Sequence, residues 1–141
     1  MIQVVLDANV LVSGLISREG PPGQILDAWL VGRFQLWVSS QIMGELKRVL
    51  LYPRILDRLA AGQVTMLLEK LNTTAKFIDA TLKLDVLTHD PSDNIYLACA
   101  VEAKADYLIT GNIDHFEEAG GDFRGVKIIS PRIFLEIFGA E

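Results

Sequence analysis

Apolar positions along the chain change period several times, and each change predicts an element boundary. Ile2, Val4, Val5 and Leu6 form a run suited to a strand covered on both faces, whereas Val10, Leu11, Gly14 and Leu15 recur at helical spacing and predict a helix over 8–16. Arg18 to Gly23 carries the Gly and Pro chemistry of a loop. Ile25, Leu26, Trp29 and Leu30 then predict a helix stopped at Gly32, and 34–38 alternates as a strand does. Ser39 or Ser40 can cap the next helix, over about 41–51, whose apolar stripe is Ile42, Leu46, Val49 and Leu50. Pro53 ends it, and Ile55, Leu56 and Leu59 predict a short helix closing near Gly62.

The second half continues the alternation. Val64, Leu67, Leu68 and Leu71 repeat helically, and 76–79 and 82–87 are two extended candidates between which the pattern does not choose. Residues 89–93 form a turn feeding an Ala-rich helix, 107–110 a strand, 111–114 a turn, and Gly120-Gly121 a loop. A last strand over 126–129 leads into Ser130-Pro131, an N-cap with Pro at the first helical position, and a closing helix with Ile133, Phe134, Ile137 and Phe138. Such alternation predicts an α/β fold with a central parallel sheet and helices on both faces.

Composition bounds this picture. The 141 residues, half of them hydrophobic, suit one compact domain over 1–141. The net charge of -5 gives the whole molecule no general attraction for a polyanion. The charge is uneven, however: residues 33–58 hold five basic side chains against two acids, while 77–122 hold ten acids against Lys83 and Lys104. Cys99, the sole cysteine, sits in an apolar run and reads as packing. No apolar stretch reaches the roughly 18 residues of a membrane span, and the start lacks the pattern of a secretion signal, so a cytoplasmic location is expected.

Candidate chemistry lies in the acids. Asp7 after the first strand, Glu45 on the helix after the second, Asp93 at the helix before the strand 107–110, and Asp114 after that strand occupy corresponding edges. An Asp after a strand is also an ordinary N-cap, so the argument rests on their convergence. Glu45 lies about 60° from Ile42 around its helix, with Lys47 and Arg48 expected to point largely elsewhere, which predicts a partly desolvated carboxylate. Grouped carboxylates repel unless a cation intervenes, and an oxygen-rich set suits Mg2+ or Mn2+ better than zinc.

Residues 5–11, the isolated Glu45, residues 90–100 beginning Asp90-Pro91-Ser92-Asp93-Asn94, and 105–116 together resemble the PIN-domain nucleases, within the prokaryotic branch of toxin components of toxin–antitoxin systems. The resemblance covers essentially the whole chain. It implies a three-layer α/β/α fold with four to five parallel strands, and Asp7, Glu45 and Asp93 in the first three acidic positions. The fourth falls in 110–114, where Asn112 stands in place of the acid many relatives carry, so that Asp114 serves or the site has one charge fewer. Asp90 matches an additional acid of this branch or is simply a turn residue. Asn9 and Thr110 would support the carboxylates, and Asn112 could still offer an amide oxygen.

The implied activity is Mg2+- or Mn2+-dependent hydrolysis of RNA phosphodiester bonds, with Lys47, Arg48, Arg54 and Arg58 tracking the strand. The implied partner is a cognate antitoxin; the apolar helices with Trp29 and Trp37 could also serve a homodimer, although tryptophans are as often core. His89 and His115 read as surface residues. Two alternatives stand beside this: a PIN-like module that binds RNA or protein without cutting, favoured by Asn112, and an aspartyl-phosphate phosphatase, disfavoured by Asn9 where those enzymes carry a second acid.

Overall fold

The structure, a computed structural model, describes residues 1–79 and 81–139. The chain runs β1 (Gln3–Leu6), α1 (Ala8–Ile16), α2 (Pro21–Leu30), β2 (Gln35–Val38), α3 (Ser40–Leu50), α4 (Pro53–Leu56), α5 (Gln63–Thr74) and β3 (Lys76–Phe77). A 3-10 turn at Pro91–Asp93, α6 (Asn94–Glu102), β4 (Tyr107–Ile109), a 3-10 segment at Ile113–Ala119, β5 (Asp122–Phe123), β6 (Val126–Ile129) and α7 (Pro131–Gly139) complete it.

The strands form one sheet in the order β3-β2-β1-β4-β6-β5. Five run parallel, as the alternation predicts, and the sixth, β5, pairs antiparallel with β6 at the edge. That extra strand is the departure from the expected four to five. It forms because Arg124 and Gly125 both take positive φ (51° and 88°), the geometry of a tight two-residue hairpin. Of the two extended candidates, only Lys76–Phe77 pairs into the sheet, and 82–87 forms no strand, its Leu82, Val86 and Leu87 N–H groups bonding to the Glu102 and Asn94 side chains of α6 instead.

β1 lies at the centre, and Val4 and Val5 are fully buried, as a strand covered on both faces requires. Helices flank the sheet in three α/β/α layers, and α6 rests on β1, β2 and β4 with Ala98, Cys99 and Ala100 buried beneath it. Small side chains permit that approach. Pro21, Pro22 and Gly23, expected in a loop, form the first turn of α2, where Pro is tolerated because its missing N–H has no helical partner anyway. Gly23 is required there: a Cβ would stand 2.4 Å from the carbonyl of Arg18.

Both tryptophans, expected to serve either a homodimer or the core, have partners within the chain. Trp29 is 2% exposed in the core, and half-buried Trp37 donates its indole N–H to Gln3 beneath the Lys76 ammonium. Among the described residues no helix is long and apolar enough to cross a membrane.

Candidate active site

Strand order reverses direction between β1 and β4, and at such a switch point the loops part to leave a crevice at the strands' carboxyl ends. Leu6 pairs with Ile109, so the next residues, Asp7 and Thr110, emerge side by side. Asp7 is 2% exposed and caps α1, its Oδ1 accepting the Asn9 N–H at 3.0 Å. Its Oδ2 accepts the Thr110 hydroxyl at 2.9 Å, and the same Thr110 oxygen accepts the Asn112 N–H at 3.0 Å. Among the described residues each carboxylate oxygen of Asp7 accepts one hydrogen bond, which leaves it a further lone pair.

Asp93 reaches the same edge from the 3-10 turn before α6. Its Oδ2 meets His115 Nδ1 at 2.9 Å, and Asp90 Oδ1 lies 3.7 Å from that nitrogen. Asp90, Asp93 and His115 each offer one ligand atom, all within 4.8 Å of one another, a group that could hold a metal ion. His115, expected to be a surface residue, is therefore part of the site. Only the fold of the Ile113–Ala119 segment brings it back over the turn at Asp93.

Two clamps hold the loop that delivers Asp90. The buried Asn94 amide accepts from the Val86 and Leu87 N–H groups and donates to the Leu87 and Pro91 carbonyls, while Glu118 accepts from the Thr88 and His89 N–H groups. Tyr96, also buried, accepts the Ala8 N–H through its hydroxyl at 3.3 Å. Burial pushes the Tyr96 pKa up, and the charges of Asp7, Glu45 and Asp93 all push it further, so one phenol lies within reach of three carboxylates.

Electrostatics mark the same place. Burial raises the Asp7 pKa against its two hydrogen bonds, with Glu45 adding to the rise. Burial likewise raises Asp93, where Asp7 and Asp90 add like charge. Opposing them is His115, itself raised chiefly by its bond to Asp93. A divalent cation among oxygens that repel one another would relieve this strain, and the donor set of carboxylates with one imidazole fits Mg2+ or, better, Mn2+.

The expected residues divide as follows. The charges of Asp7, Glu45 and Asp93 act on a common neighbourhood at this edge, where Asp90 lies by Asp93 and Asn9, Thr110 and Asn112 lie by Asp7. Asp114 stays exposed at the rim, its charge felt by His115. Arg48 does not point elsewhere: its guanidinium grips both Glu45 oxygens, at 2.6 and 3.1 Å, and bonds Tyr52. The reason is reach, since residues three apart share a helix face. This pair is superficial, with the Arg48 side chain 58% exposed, so it contributes little stability and Glu45 can exchange partners. Lys47, Arg54 and Arg58 are exposed, and none forms an ion pair among the described residues.

A cluster of acids at the switch point of a mostly parallel, three-layer sheet gives the chain the character of a nuclease-like α/β domain. Residues 3–114 match the PIN domain, and the chain belongs to that family. It is also 31% identical over 114 residues, 80% of its own length and 72% of the other's, to an uncharacterized protein of Methanocaldococcus jannaschii.

Proposed function

We propose that the protein is a divalent-metal-dependent ribonuclease that hydrolyses phosphodiester bonds in single-stranded RNA. The observation carrying this reading is the Asp90, Asp93 and His115 group, whose ligand atoms lie within 4.8 Å of one another, at an edge where the charges of Asp7 and Glu45 also act. Asp7, Glu45 and Asp93, joined by Asp90 and His115, would hold the ion, with the exposed Asp114 near enough for its charge to act on His115. Bound there, Mg2+ or Mn2+ supplies Lewis acidity toward water and phosphate.

The chain's own residues do the positioning. Thr110 and the Asn9 N–H fix both Asp7 oxygens, so that this carboxylate cannot rotate away from the crevice. Tyr96 anchors the backbone at Ala8 from below. His115 sets the Asp93 carboxylate. Lys47, Arg54 and Arg58, unpaired, can meet phosphates that the net charge would otherwise repel, whereas Arg48 is engaged by Glu45 and serves the strand only when that pair opens.

Incubation of the purified protein with a single-stranded RNA oligonucleotide and Mn2+ tests this. Cleavage that Asp93→Asn removes without unfolding the chain supports it, and an inert wild type with the ion bound contradicts it. Asn112 in place of an acid, with Asp114 at the rim, favours the second reading, a PIN-like module that holds RNA or protein without cutting. The role as a toxin, with a cognate antitoxin, a homodimer and a cytoplasmic location, belongs to the same proposal. Growth arrest on expression of the wild type, relieved by Asp93→Asn, would support it.

A further inference from the structure

From the acidic edge a groove of about 410 Å³ leads away over α1. Its near end is formed by Asn9 and Asn112, the two residues whose backbones hold Asp7 and Thr110. Val12 and Ile16 of α1 with Ile55 of α4 form its walls, and Arg58 stands in its lining. No acid lines it. Among the described residues the Arg58 guanidinium and the side-chain amides of Asn9 and Asn112 have no protein partner.

We infer that this groove is the subsite for one nucleoside of the RNA strand, the one next to the phosphate being cut. The inference rests on the ribonuclease reading for the strand's path, but its chemistry is local. The space falls within the range that encloses a small organic ligand, and aliphatic walls suit the faces of a base turned out of its stack. Free amides each offer a donor pair and an acceptor, the complement of a base edge. A guanidinium without a carboxylate partner suits the next phosphate along. Because the groove begins at the residues that hold Asp7, a base seated in it leaves its neighbouring phosphate at the carboxylates. The base edge facing Asn9 and Asn112 would set whatever sequence preference the enzyme has.

Nucleoside monophosphates test this on the full-length, isotope-labelled chain in EDTA, with no ion at the acidic edge. Titration with AMP, CMP, GMP or UMP is expected to shift the amide resonances of Asn9, Gly111, Asn112 and Ile55 saturably with at least one of the four. Arg58→Ala should weaken that binding about tenfold, the worth of a charge-assisted contact. Ser13→Trp, which places an indole over the groove from the exposed face of α1, should raise KM for an RNA oligonucleotide more than it lowers kcat. If wild type cleaves RNA while no nucleotide shifts these resonances and Ser13→Trp leaves KM untouched, the subsite is wrong and the ribonuclease stands. Should the nucleotides bind in the groove of a protein that never cleaves, the subsite stands and the ribonuclease falls. Equal shifts with inorganic phosphate alone would overturn base binding.

Discussion

His115 Nδ1 lies 2.9 Å from Asp93 Oδ2, tying the segment after β4 to the turn before α6. A histidine in a group otherwise built of carboxylates changes its metal preference, since imidazole favours Mn2+ over Mg2+. His115→Ala is expected to lower Mn2+ affinity about 10- to 100-fold while changing Mg2+ affinity less. Isothermal titration with each ion checks this, and equal losses for both would show that His115 only braces Asp93.

Asp7 is a buried carboxylate whose pKa burial has raised, so its ionised form opposes folding when no cation is present. Asp7→Asn should therefore abolish cleavage, by more than about a hundredfold, and yet raise Tm in EDTA. Excess Mn2+ should narrow or reverse that gap by stabilising wild type alone. Thermal unfolding of both proteins with and without the ion is the check. A less stable variant in EDTA would mean that the hydrogen bonds from Asn9 and Thr110 outweigh the buried charge.

Glu118 holds the Thr88 and His89 backbone beneath Asp90, and the Thr88 hydroxyl, then the His89 N–H, draw its pKa below the ordinary 4.5. A carboxyl lowered on folding stabilises the fold above its unfolded pKa and ceases to do so as pH falls through the folded one. Wild type should thus exceed Glu118→Gln in Tm near pH 7, with the difference vanishing below pH 4.5. A difference independent of pH would refute this role.

Gly23 sits where a Cβ would strike the Arg18 backbone at 2.4 Å. Gly23→Ala should cost about 1–3 kcal/mol, read from urea unfolding, because the turn between α1 and α2 must shift to admit it. An unchanged midpoint would mean that this turn yields freely.

Much of the fold was legible because its signals are local. The period change at Asp7 marks a strand end and a helix start, and α1 spans Ala8–Ile16 as the spacing of Val10, Leu11, Gly14 and Leu15 predicts. The positions of Asp7 after β1, Glu45 on α3 and Asp93 at the start of α6 follow from the same local signals. Other features depend on what the chain brings together from afar. His115 joins Asp93 only once the 3-10 segment folds back, and Tyr96 becomes part of the site only because α6 is buried against β1. The Arg48 grip on Glu45 was hidden because angular position about the helix ignores how far a guanidinium reaches. The β5–β6 hairpin carries no such local signal, since Arg at a positive-φ turn position is uncommon.

Anomalous diffraction from crystals soaked in Mn2+ tests the central claim most directly. The account predicts a peak bound by the Asp7 and Asp93 carboxylates, with Glu45, Asp90 or His115 completing the shell. Manganese found elsewhere on the molecule, with that crevice empty, would contradict it.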